Sequence, residues 1–196
     1  MQAVVIERRN SVGAAVVGTA AVWAVVVTVA SLAGWLGRVS PFVIAPMVVL
    51  GMAVPSFVYL RSRGLQELAE GIGLKRLTLF HAWRIGPAFL FLWYGAHGLL
   101  PQLFAERAGW GDLFVGVLAP LVVWLAPRGW AYGLFHVLGL GDLLLAIGTA
   151  VALTLAYTPA MQHIGDFPVA LVPLFGVGIT GTTHIIAFDL LRRGRG

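Results

Sequence analysis

A chain of 196 residues with 59% hydrophobic and 11% charged residues has too little polar surface for a water-soluble globule, in which about 25% of residues are charged. Its formal net charge of +5 sits in clusters beside apolar runs rather than in a basic stripe interleaved with aromatics, which excludes a nucleic-acid surface. The absence of cysteine excludes disulfides, thiolate metal centres, iron–sulfur ligation and cysteine nucleophiles.

About 20 apolar residues cross the roughly 30 Å of hydrocarbon in a bilayer. On that measure the chain reads as an all-α membrane protein. One transmembrane domain over residues 1–196 holds about six transmembrane helices plus one amphipathic cytoplasmic surface helix. The first predicted span covers residues 12–36. Its apolar run exceeds a signal-peptide core, so it is expected to be retained. The second, 41–60, opens on Pro41, whose missing N–H costs nothing at a helix start. Residues 61–84 then read as an interfacial segment. Leu65, Leu68, Ala69 and Ile72 recur at helical spacing, with Gln66, Glu67 and Glu70 off that face. His81 is expected at the interface beside Trp83 and Arg84. The remaining spans are predicted at 85–104, 110–126, 139–157 and 169–191. The apolar stretch 127–139 reads either as a re-entrant piece or as an early start of the fifth span.

Basic residues orient such a bundle. With the N-terminus inside, Arg8, Arg9, Arg61, Arg63, Lys75, Arg76, Arg84, Arg128, Arg192, Arg193 and Arg195 fall on the inner side. Only Arg38 and Arg107 fall outside. Both termini are therefore expected in the cytoplasm.

The last span contains Gly176-x-Gly178-x-x-Gly181, the glycine pattern of a dinucleotide-binding turn. Such a turn needs free backbone N–H groups at a helix start. These glycines fall mid-helix, so they are read as close-packing positions. Pro55 and Pro120 each follow a glycine four residues earlier, Gly51 and Gly116, which relieves the crowding a helical proline imposes on that carbonyl. Pro101 instead follows His97, and the freed carbonyl there suggests an outer polar pocket. "GWGDLFVGV" (109–117) echoes "GLGDLLLAI" (139–147). The echo is read as two aspartates, Asp112 and Asp142, capping helix N-termini.

Histidine and aspartate inside a span usually face the bundle interior. At about 1.5 Å per residue, His97 lies roughly 18 Å from the inner edge, and Asp142 roughly 17 Å if the fifth helix begins near Ala131 but much nearer that edge if it begins at Gly139. His184 lies at roughly 8 Å, and so does His136 if the fifth helix starts early. Two levels follow. His97 and Asp142, with Tyr94 and Thr149 on their faces, predict a polar pocket near the midplane. His136 and His184 predict a facing pair nearer the cytoplasm. The leading functional expectation is translocation of a small solute, an ion or protons through the pocket. One alternative is a b-type haem held by His136 and His184, with Arg84, Arg128 and Arg192 near its propionates. Another is a non-catalytic accessory subunit that binds other membrane proteins or copies of itself. No His-Glu-x-x-His, phosphate loop or Gly-x-Ser-x-Gly is present, so soluble-type catalysis is not expected, and no metal is assigned. Lys75, at the interface, is the only lysine, which excludes retinal.

"WRIGPAFLFL", "LPQLFAERAGWGD", "GLGDLLLAIG" and a closing "LFGV" followed by His184 resemble a group of small bacterial integral-membrane proteins of unassigned function, over residues 83–184. The resemblance implies a helical bundle in a bacterial inner membrane. It implies no ligand or catalytic residues.

Overall fold

A computed structural model describes residues 2–125 and 128–194, with side chains from residue 10 onward. Ala126 and Pro127, where the predicted fourth span ends and the short apolar stretch begins, lie outside the described residues. So do Arg195 and the side chains of Arg8 and Arg9 from the charge count. Among the described residues every regular element is helical. In order they are α1 (Gln2–Leu32), α2 (Pro41–Arg61), α3 (Arg63–Ile72), α4 (Leu74–Phe80), α5 (Ile85–Ala96), α6 (Gln102–Leu125), α7 (Gly129–Leu155) and α8 (Val177–Arg192). Short 3-10 turns lie at Leu36–Arg38, His81–Arg84 and Pro159–Gly165, and a π turn at Val172–Gly176 leads into α8. Among the described residues, five stretches are long and apolar enough to cross a membrane: Asn10–Leu32, Pro41–Arg61, Gln102–Leu125, Gly129–Leu155 and Val172–Arg192.

The third predicted span is not one helix. α5 stops at Ala96, where Gly98 takes a left-handed φ of 68° and its N–H returns to the Gly95 carbonyl. The N–H of Leu99 closes on Tyr94. Pro101 then starts α6, its carbonyl accepting from Phe104 and Ala105. No helix runs through both His97 and Pro101, so Pro101 does not free the His97 carbonyl. α6 begins eight residues before the sequence expectation.

The surface helix is also shorter than expected. Only α3 lies flat. Gly73, at a φ of 79°, turns the chain, and α4 enters the bundle with Leu74, Leu77 and Thr78 buried. α4, the turn at His81–Arg84 and α5 follow without a break. They form one helical run over residues 74–96. α7 starts at Gly129, so the stretch ahead of Gly139 is the first part of that helix, not a re-entrant loop.

Glycines set how closely these helices approach. A Cβ on Gly178 would lie 2.7 Å from the Gly51 carbonyl oxygen, so α8 and α2 touch backbone to backbone there. Gly176 lies against the Trp83 ring and Gly181 against Met52. The three glycines therefore make close packing contacts, although they fall in the π turn and the first turns of α8 rather than mid-helix. Gly116 lets the backbone of Arg84 and Ile85 press onto α6: a Cβ there would meet the Ile85 nitrogen at 3.0 Å. That approach fixes the position of Arg84.

Polarity in the bundle runs inside out. Val22, Val25, Phe57, Trp110, Trp124, Leu134 and Leu145 are exposed, whereas His81, Arg84, Asp112, His136, Thr149 and His184 are buried. One end of the bundle is basic, carrying Arg61, Arg63, Lys75, Arg76, Arg128, Arg192 and Arg193. There Asp189 accepts from the Tyr59 hydroxyl at 2.9 Å, and Arg193 Nε lies 2.9 Å from the same carboxylate, which ties the end of α8 to α2.

Candidate functional site

The site begins with Arg84. Its side chain is 2% exposed, in the middle of the run over residues 74–96. Its Nε donates to Asp112 Oδ1 of α6 at 2.5 Å. Its Nη2 pairs with Asp142 Oδ2 of α7, and its Nη1 reaches the Gly139 carbonyl at 3.4 Å. An isolated buried guanidinium is prohibitively costly, so two carboxylates and a carbonyl compensate it together.

This corrects two expectations. Asp112 and Asp142 lie in the interiors of α6 and α7 and cap neither helix. Arg84 is not a residue of the basic boundary, so it leaves the inner charge count, whose bias persists without it. The echo of "GWGD" and "GLGD" has a spatial meaning instead. Two antiparallel neighbours each present an aspartate to one arginine. Gly111 of the first copy lies directly against the Asp142 carboxylate, in space that a Cβ would fill.

One helical turn toward the basic end, three histidines meet. His81 comes from the 3-10 turn, His136 from α7 and His184 from α8, and all are fully buried. Each sits seven or eight residues from the basic end of its helical run, a depth of about 11 Å at about 1.5 Å per residue. His136 Nδ1 and His184 Nδ1 are 2.8 Å apart. The rings of His81 and His184 stack with centroids 4.1 Å apart. Thr78 Oγ1 lies 3.1 Å from His136 Nε2, and Thr183 Oγ1 lies 3.2 Å from His81 Nε2. His81 is thus an interior residue rather than an interfacial one, because Gly73 turns its segment into the bundle.

His136 and His184 stand at one depth, but they touch. No slot of porphyrin width separates their rings, and the third imidazole fills the adjoining space. The arrangement does not fit a bis-histidine haem. The other predicted set does not assemble. His97 is exposed, stacks on Trp93 and bonds its carbonyl through Nδ1 at 2.7 Å. Tyr94 donates to the Phe167 carbonyl at 3.4 Å, while Thr149 bonds Leu145 within α7 and receives Arg107 Nη1 at 3.2 Å. Asp142 alone of the four belongs to the buried cluster, because the break after Ala96 carries His97 to the bundle end.

A cavity of about 70 Å³ adjoins this cluster on the side away from the basic end. Pro41, Met161 and Ile164 line one end of it, Val48, Phe91 and Ile147 its walls, and Trp83, Arg84, Asp112 and Thr180 the end nearest the cluster. Trp83 Nε1 donates to Thr180 Oγ1 at 3.2 Å, which fixes the indole on that floor. Toward the basic end, Leu74, Val123, Tyr132 and Ala187 close the bundle.

Gly139 makes the layout checkable. A Cβ there would lie 2.5 Å from His184 Cε1 and 2.9 Å from its Nε2, whereas one on Gly141 meets nothing within 4 Å. Gly139→Val is expected to lower stability by about 1–3 kcal/mol by displacing the imidazole. Gly141→Val serves as the control in the same helix. Thermal unfolding in detergent reads the difference; equal melting of the two variants would place His184 elsewhere.

No curated protein matches the chain, and no solved structure does. A family model described as "Domain of unknown function (DUF8737)" matches residues 39–192, which takes in every residue of the arginine–aspartate and histidine clusters and leaves α1 outside. With that match over most of its length, the chain belongs to this family.

Proposed function

We propose that the chain is a six-span protein of the cytoplasmic membrane that moves protons between an outward-facing cavity and the cytoplasm. The observation that carries this reading is the cavity ending on Arg84 and Asp112. Its volume admits a few waters and no large solute. Past its floor, among the described residues, Leu74, Val123, Tyr132 and Ala187 pack together toward the basic end. Carboxylates and imidazoles pass a proton without an open pore. Asp112 takes the proton from cavity water, and Asp142, paired with the same guanidinium, is the next carboxylate. The His184 ring packs on Gly139, one turn from Asp142, and offers the next station. Arg84 stays charged throughout and holds the two carboxylates together.

The sixth crossing in this reading is the run over residues 74–96, about 34 Å long at about 1.5 Å per residue. The basic end faces the cytoplasm, with both termini there. Single cysteines test the topology. Ser40→Cys and Gln162→Cys should label from outside with an impermeant reagent, and Ser62→Cys should not. Labelling of Ser62→Cys alone would invert the orientation.

The function is read in proteoliposomes with a trapped pH dye under an imposed potential. Wild type should acidify the lumen. Asp142→Asn and Asp112→Asn should each slow this by roughly 100-fold, since either change leaves Arg84 one carboxylate and the fold intact. Flux that is unaltered in both variants, or absent from wild type, removes the reading.

A further inference from the structure

The hydrogen bonds around the three histidines fix where their lone pairs point. Thr183 Oγ1 donates its own hydrogen to the Thr180 carbonyl at 2.7 Å. Toward His81 Nε2 it is therefore the acceptor, and that nitrogen carries the ring hydrogen. His81 Nδ1 is left as a bare lone pair, buried and without a partner. On the other side, His136 Nδ1 and His184 Nδ1 share a single hydrogen across 2.8 Å. His184 Nε2 is the second buried nitrogen without a partner.

Leaving such a nitrogen unpaired is costly, and the bare His81 Nδ1 beside the His136–His184 Nδ1 pair points to a missing occupant. One nitrogen from each ring lies within 4.8 Å of the others. Tetrahedral zinc with Zn–N bonds of about 2.0–2.1 Å holds its ligand nitrogens about 3.4 Å apart. The observed spacings, 2.8 Å at the closest pair and within 4.8 Å overall, bracket that value. Threonine hydroxyls on the far nitrogens of His81 and His136 occupy the places that orienting partners of metal-bound histidines take. The neighbouring triad has two acids to one base, which offsets part of an added positive charge. Gly139 keeps the space beside His184 clear.

We infer that His81, His136 and His184 form a binding site for one divalent transition-metal ion of the zinc class. Three neutral imidazoles with no carboxylate select such an ion over magnesium or calcium. They leave one tetrahedral position without a protein ligand. The site stands on the nitrogens alone and does not rest on proton translocation. Under that reading, a bound ion takes the lone pairs the histidine station needs, so occupied protein does not conduct.

The test uses purified full-length protein in detergent, stripped with a chelator and titrated with Co2+. The expected result is one equivalent bound, with the intense visible absorption of tetrahedral cobalt, bleached when Zn2+ displaces it. His81→Asn, His136→Asn and His184→Asn should each lose the spectrum. His97→Asn and His163→Asn, outside the cluster, should keep it. Wild-type protein that gives only the pale spectrum of octahedral cobalt, or a tetrahedral spectrum that survives all three cluster substitutions, overturns the site. Neither result bears on flux in proteoliposomes, so the two readings fail separately.

Discussion

Arg84→Met is expected to be the most destabilising single substitution in the chain. It leaves Asp112 and Asp142 facing each other in a buried space with no cation between them. Removing one partner of a buried ion pair costs about 3–5 kcal/mol, because the remaining charge is uncompensated. Here two charges remain. Methionine keeps the apolar stem of the lost side chain but ends short of the guanidinium, so part of the loss is packing, and a second variant separates the two. Thermal unfolding in detergent measures it. The triple variant Arg84→Met, Asp112→Asn, Asp142→Asn removes every charge at once and should recover most of the lost stability. A single variant that melts with wild type would mean that Arg84 does not lie between the two aspartates. A triple variant no better than the single would assign the loss to packing.

The pairing behind that expectation was hidden in the sequence for a physical reason. A charge at the edge of an apolar run reads as a membrane boundary, so Arg84 set the start of the third span. Its partners lie 28 and 58 residues away, on helices that hydropathy describes only as apolar. Once Arg84 is read as compensated, the run extends back to Leu74, and His81 moves from the surface into the core. The turn after Ala96 was hidden in the opposite sense: Gly98 and Pro101 mark it, but the flanking residues are apolar enough to read through.

Other parts of the chain were legible. α2 runs from Pro41 to Arg61, against a predicted 41–60, since proline opens it and arginine closes it. The equal depth of His136 and His184 follows from counting residues back from basic helix ends. That count fixes height along the bundle but says nothing of the distance between rings, and so it could not show that the two imidazoles touch. The repeated "GWGD" and "GLGD" signalled that Asp112 and Asp142 share a role. Capping was the wrong role, because both helices extend well past those glycines.

The second large effect is expected at the closing glycine pattern. Gly178→Val should weaken the bundle by prising α8 off α2. An added Cβ lies 2.7 Å from the Gly51 carbonyl oxygen and 3.0 Å from its carbon, and it also runs into the Trp23 ring. A flexible side chain swings away from such a contact, but the backbone of a packed helix does not. The two helices must then separate. With them go the Thr182 hydroxyl's contact with the Met52 carbonyl at 3.3 Å and the approach of Ser56 to Thr182 at 3.4 Å. Overpacking of this kind costs about 1–3 kcal/mol, more where backbone must move. Gly148→Val is the control: it is also helical, and a Cβ there meets nothing within 4 Å. The control absorbs the general effect of replacing a helical glycine by valine, so the difference in melting temperature isolates the contact. Gly178→Ala should fall between the two, since the first carbon alone makes the clash. If Gly178→Val and Gly148→Val melt together, α2 and α8 are farther apart than this structure places them, and the glycines of the last helix need an explanation other than packing.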